Sequence, residues 1–195
     1  MRLNDLLPDT FTYNDEEISI DLAFDNILDV FDILKMKELP EFNRAELSLV
    51  LLFGEDVIDF EDTIEVYNQV FDLFLNTKDD HKPVRYDIAG NPMPEKEDDK
   101  GDVPLIDLSQ DAEFLYASFI QAYGINLIKE QGKLHWYEFK ALLNGLPEDT
   151  IIKQIIHIRS YKSGEHDSKE YKKQMEDLQD FYRLEVDDEW REMEE

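Results

Sequence analysis

Apolar positions near the start of the chain fall two apart: Phe11 and Tyr13, then Ile18 and Ile20, flank the polar run Asn14-Asp15-Glu16-Glu17. Alternation of this kind predicts a short β-hairpin with a turn of several residues. From Asp21 onward the period changes. Phe24, Ile27, Leu28, Phe31 and Leu34 recur at helical spacing with Asp25, Asp29 and Asp32 on the other side, so an amphipathic helix capped by Asp21 is expected. After Leu39-Pro40, "NRAELSLVLLF" reads as a second helix with Asn43 as cap and Gly54 at its end, and "DTIEVYNQVFDLFL" as a third, capped near Asp62.

Periodicity then stops. Residues 77–107 carry Pro83, Pro92, Pro94, Pro104, Gly90, Gly101 and dense charge, the composition of a linker or long mobile loop. Order is expected to resume at Ser109, as the cap of a helix that buries Phe114, Leu115, Phe119 and Ala122 and stops at Gly124. "LHWYEFKALLNG" should be helical from about Leu134. In "PEDTIIKQIIHIRS", Pro147 suits a first helical turn, and Ile151, Ile152, Ile155, Ile156 and Ile158 make a wide apolar face. Ser168 to about Arg183 reads as a polar helix with a sparse stripe of Tyr171, Met175, Leu178 and Tyr182, and the acidic residues after it as a frayed tail.

The expected fold is therefore mainly α, a bundle of about six to seven helices with a short N-terminal β-hairpin and a long acidic, proline-containing linker. Residues 1–76 form a hairpin plus helical half, 77–107 the linker, 108–183 a second helical half and 184–195 the tail.

Charge sharpens this picture. The 195 residues hold 47 Asp and Glu against 20 Lys and Arg, a formal charge of -27. Such a chain lacks the clustered cations needed to read phosphates, so nucleic acid is excluded as a partner, and adsorption to an anionic membrane surface is disfavoured. The charge is uneven: residues 1–76 contain four basic residues (Arg2, Lys35, Lys37, Arg44) against nineteen acids, whereas residues 126–183 hold ten of each. There is no cysteine, which removes disulfides, thiolate nucleophiles and Cys-ligated zinc. No stretch approaches the roughly 20 apolar residues of a membrane span, and the start of the chain has too short an apolar run for a signal peptide.

The search for chemistry is empty. No nucleophile elbow, phosphate-binding glycine loop, dinucleotide fingerprint or H-E-x-x-H helix occurs, so no catalytic residue, cofactor or metal is assigned. His135-x-x-Glu138 puts two ligand types on one helical face, yet two more ligands would be needed and a structural role is the simpler reading. The acids around Glu95-Lys96-Glu97-Asp98-Asp99 lack the spacing of a calcium loop. Trp136, Tyr137 and Phe139, with Phe119 and Tyr123, fit either a core seam or an aromatic groove. The isoleucine helix is equally open: a five-Ile face anchors a small helical unit or docks another protein's helix. Candidate docking residues are Trp136, Phe139, Leu142, Leu146, Pro147, Ile151, Ile152, Ile155 and Arg159.

The string Gln110-Asp111-Ala112, Tyr116-Ala117, Phe119, Gln121 to Ile125, Leu134-His135-Trp136, Phe139, Leu142, Gly145-Leu146-Pro147 and Ile158-Arg159 resembles a family of bacteriophage and prophage proteins from Gram-positive hosts, as does the opening "LLPDT…EISIDLAFDNIL". The family's genes lie in the tail module, between those of the major tail protein and the tape-measure protein. The resemblance implies a non-enzymatic tail-assembly chaperone in the host bacterial cytoplasm, absent from the mature virion. Its implied partners are the tape-measure protein and the major tail protein, with possible self-association. The alternative from another class is an acidic DNA mimic that inhibits a host DNA-binding protein or nuclease, with Asp25, Asp29 and Asp32 as a charged stripe.

Overall fold

The structure, a computed structural model, describes residues 3–55, 57–75, 105–164 and 166–185. The expected linker, apart from residues 105–107, and the tail beyond Glu185 lie outside the described residues.

The expected hairpin is present as β1 (Thr10–Tyr13) and β2 (Glu16–Ser19), paired antiparallel with Phe11 opposite Ile18. Its turn is tighter than the polar run suggests. Asn14 and Asp15 alone make it, with φ of 49° and 63°, the left-handed pair that matches the twist of a two-residue hairpin and that Asn and Asp tolerate. Seven α-helices follow among the described residues: α1 (Phe24–Lys35), α2 (Glu41–Phe53), α3 (Thr63–Val70), α4 (Ala112–Tyr123), α5 (Trp136–Asn144), α6 (Ile151–Arg159) and α7 (Lys169–Phe181). A 3₁₀ turn, Phe60–Asp62, leads into α3, and a π-helical turn, Phe71–Leu75, continues it.

Several helix starts differ from expectation, each for a local reason. Asp21 accepts from the Ala23 amide at 2.9 Å, a turn placed just ahead of α1, and Ala23 occupies the cap position. Helix α2 begins before Asn43, directly after Pro40, whose fixed φ suits a helix entry. In front of α4, Asp107 accepts from the amides of Ser109 and Gln110, both at 2.9 Å, and that turn moves the helix start past Ser109 to Ala112. Pro147 likewise lies ahead of α6. Its carbonyl accepts from both the amide and the hydroxyl of Thr150, which takes the cap position. Four expected stops and starts are present: Gly54 and Gly124 close α2 and α4 with φ of 93° and 67°, Asp62 holds the cap position of α3, and Ser168 caps α7 by accepting from Tyr171 N.

The chain forms two compact units. One holds the hairpin, α1, α2, α3 and α5; the other holds α4, α6 and α7. The expected second helical half is thus divided, because α5 belongs with the N-terminal elements. Its entry is fixed there by strand-like pairing of His135 with Ala23: Phe24 N donates to Leu134 O at 2.9 Å and Trp136 N to Leu22 O at 2.8 Å. Aromatic packing completes that unit's core. Phe24 stacks on Phe139 at 5.0 Å, Trp136 on Phe139 at 5.6 Å, and Phe31 meets Trp136 edge-on at 5.5 Å.

The second unit is built on Leu115, Phe119, Ile152, Ile155 and Met175, all buried. Ser118 is buried with them; its hydroxyl donates to Phe114 O at 2.7 Å and accepts from Ile152 N at 3.2 Å, joining α4 to the first turn of α6. Leu184 is also buried and Glu185 exchanges two hydrogen bonds with Gln110, so the first two residues of the expected frayed tail are held in place.

Between α6 and α7, Asp167 accepts from Gly164 N at 2.7 Å and from the Tyr161 hydroxyl at 2.8 Å. Burial, and then the bond to Asp167, push the Tyr161 phenol up to about 12, while the Gly164 amide, and then Tyr161, hold the Asp167 carboxyl below its usual value. The signs are opposite. Asp167, lowered by folding, contributes stability that is lost as pH falls through the carboxylate range; Tyr161, raised by folding, contributes in full below its ordinary 10.0 and loses that contribution as pH climbs toward about 12. Tyr161→Phe should therefore melt below wild type at pH 8 and converge with it between about pH 10 and 12. Thermal melts across that range check it, and a gap that does not narrow would exclude the Tyr161 contribution.

Candidate functional site

The nine candidate docking residues occupy both units. Trp136, Phe139 and Leu142 lie on α5, and the other six on the Leu146–Arg159 segment of the second unit. Most of them are core. Trp136, Phe139, Leu146, Ile152 and Ile155 are buried, Leu142 and Ile151 are half-buried, and only Pro147 is exposed. The isoleucine helix, open to two readings from its sequence, divides along its length: Ile152 and Ile155 are sealed, while Ile151, Ile156 and Ile158 keep partial exposure.

Arg159 is an internal clamp. Its Nη1 and Nη2 bind the Asp111 carboxylate at 2.7 and 2.8 Å in a bidentate pair, its Nε donates to Tyr182 O at 2.7 Å, and Nη1 also reaches Leu105 O at 3.0 Å. The Asp111 side chain is 1% exposed and also accepts from Asp107 N at 3.0 Å. One guanidinium thus ties the start of α4, the end of α6 and the end of α7. Gln179 adds to the same corner, its Nε2 donating to the carbonyls of Ile158 and Tyr161 at 2.9 Å each.

His135 and Glu138, the one ligand-like pair in the sequence, form a capping box for α5. Glu138 Oε2 accepts from His135 N at 3.2 Å, and His135 Nδ1 accepts from Tyr137 N at 3.0 Å. His135 Nε2 lies 2.9 Å from Pro8 O. A carbonyl can only accept and an amide can only donate, so these partners specify the neutral ring with its proton on Nε2. Both ring nitrogens are engaged. Among the described residues no group of three or more His, Cys, Asp or Glu side chains is arranged to hold a metal ion.

Lys140 lies over the rings of Trp136 and Tyr137, 5.3 and 4.8 Å from their centroids, and burial lowers its pKa. The Tyr137 hydroxyl donates to Leu73 O at 3.1 Å, and burial raises its pKa. The aromatic group around α5 is a packed seam, with the lysine stem as its lid.

Surface that can meet a partner lies elsewhere, on residues that the sequence reading did not single out, Phe60 lying ahead of the expected third helix. Phe60 is 69% exposed and Ile64 40%, at the start of α3; Phe181 is 77% exposed, at the end of α7. The signal was available: Phe60, Ile64, Tyr67 and Phe71 make a second apolar stripe beside the one that Thr63, Val66, Val70 and Phe74 bury. No helix of adequate length and apolarity to cross a membrane occurs among the described residues.

Comparison with known proteins completes the description. A family model described as "Bacteriophage Gp15 protein" matches residues 3–184. No curated protein and no solved structure matches the chain.

Proposed function

We propose, since the chain belongs to the bacteriophage Gp15 protein family, that it is a non-enzymatic tail-assembly chaperone, one that binds the phage tape-measure protein and helps major tail protein polymerise on it. The observation that carries this reading is the coexistence of a formal charge of -27 with large apolar side chains left at the surface, Phe60 among them. A protein that covers an apolar helical client needs both: exposed apolar groups to engage it, and like charge to keep the loaded complexes apart. The bidentate clamp and the capping box are structural devices in this account, and no side chain is given a catalytic role.

The test is co-expression with the tape-measure protein of the same phage, followed by capture and washing at high salt. The tape measure should remain in the soluble fraction only when the chaperone is present, and apolar docking should survive the wash. Recovery of host DNA-binding proteins that dissociate as salt rises, with no effect on tape-measure solubility, would replace this reading with the DNA-mimic one.

A further inference from the structure

The surface of α3 offers more apolar width than the first unit uses. Thr63, Val66, Val70 and Phe74 face inward and are buried. One residue further round, about 100° on a helix, Phe60, Ile64, Tyr67 and Phe71 repeat at spacings of four, three and four and remain exposed or half-exposed. The stripe is continuous with the first turn of α2. Phe42 packs on Phe60 with ring centroids 4.7 Å apart, and Tyr67 packs on Phe71 at 6.0 Å. Glu41 and Arg44 lie close enough to the Tyr67 hydroxyl to act on it electrostatically. Folding requires one buried face of α3, not two.

The rim decides the occupant. Residues 59–75 hold no lysine or arginine: the exposed Glu61, Glu65 and Asp72 follow the ridge, Asp59 and Asp62 accept from the Tyr13 hydroxyl, and on the α2 side Glu41 stands with Arg44, whose Nη1 is bound to Leu34 O. An apolar ridge bordered by carboxylates matches an amphipathic helix whose apolar stripe is flanked by Lys and Arg, and it repels a second acidic chain. We infer that the Phe42–Phe60–Ile64–Tyr67–Phe71 ridge is the docking surface of this protein, and that its ligand is an amphipathic helix with basic flanks. The inference deepens the chaperone reading and rests on it for the identity of the protein that owns the helix.

Three synthetic peptides of about 20 residues, long enough to form a helix, test it by fluorescence anisotropy in moderate salt. One has leucines at helical spacing flanked by lysines, one carries glutamates in place of the lysines, and one has the Leu/Lys composition scrambled. The Leu/Lys helix should bind the wild-type chain more tightly than either control. Phe60→Gln with Ile64→Gln should weaken it by about tenfold or more, as loss of a central apolar anchor does, without changing the melting curve. Ile120→Gln, at an exposed position in the other unit, should leave it unchanged. Equal binding of the scrambled or Leu/Glu peptide would overturn the inference, as would an unaffected Phe60/Ile64 double variant.

Tape-measure solubility measured on the same variants separates the two readings. If wild type and the Phe60/Ile64 double variant solubilise it equally, the ridge assignment falls and the chaperone reading stands. If wild type does not solubilise it, the chaperone reading falls, and the peptide binding still decides the ridge.

Discussion

Arg159→Ala is expected to destabilise the second unit by about 3–5 kcal/mol, the range for removing one partner of a buried ion pair. The size follows from what remains. Asp111, with its side chain 1% exposed, would be left with only the Asp107 amide to answer it, and the Leu105 and Tyr182 carbonyls would each lose a donor. For a chain of this length the melting temperature should drop on the order of 10 °C. Arg159→Lys should fall between, because a point charge cannot reproduce the fork that binds both carboxylate oxygens. In the Asp111→Ala/Arg159→Ala double variant the loss should be well below the sum of the single losses, since no charge is left stranded. Were Arg159 a docking residue, Arg159→Ala would instead weaken partner binding at unchanged melting temperature, and that result would refute the clamp.

Phe139→Ala should be comparably severe in the first unit, about 3–5 kcal/mol, since a buried aromatic is removed from between two rings and the backbone around it is pinned. Its neighbours cannot easily close the gap. Phe24 sits on one face at 5.0 Å and Trp136 at 5.6 Å, and the backbone flanking the Ala23–His135 pair is joined by the Phe24 N to Leu134 O and Trp136 N to Leu22 O hydrogen bonds. Phe60→Ala, an equal loss of carbon at an exposed site, should stay within about 0.5 kcal/mol of wild type. Urea denaturation of both variants makes the comparison. A Phe139→Ala midpoint as close to wild type as that of Phe60→Ala would mean that the α5 seam is not the core of the unit.

Element types were legible in the sequence because long apolar periodicities have few alternative readings: the hairpin and seven helices fall where Phe11 to Ile20, Phe24 to Leu34 and the later stripes put them. Element starts were less so. Asp21, Asn43 and Ser109 are all acceptable caps in isolation, and the choice among neighbouring candidates was made by Pro40, by the Asp107 turn and by the Thr150 hydroxyl. Burial was the least legible. Ile152 and Phe60 are equally apolar letters, and nothing local distinguishes a helix face that meets another helix from one that meets water. That Arg159 would find Asp111, 48 positions earlier, was likewise beyond reach of spacing arguments, which see only residues on the same element. The structural reading of the His135-x-x-Glu138 pair could have been made more specific: an N-cap followed three residues later by Glu is a helix-start signal, and the His replaces the usual Ser or Thr.

The return of α5 to the N-terminal elements has a consequence for how the protein is made. Phe24 and Phe31 leave the ribosome more than a hundred residues before Phe139 and Trp136, the rings they pack against. At bacterial elongation rates of about 5–20 residues per second, the nascent first unit therefore spends several seconds with its aromatic seam uncovered while the intervening residues are synthesised. Its completion is a late event of high contact order. During that interval the growing chain itself exposes the kind of apolar surface that cellular chaperones bind, so a protein proposed to shield another's helices has a seam of its own to keep covered until α5 arrives.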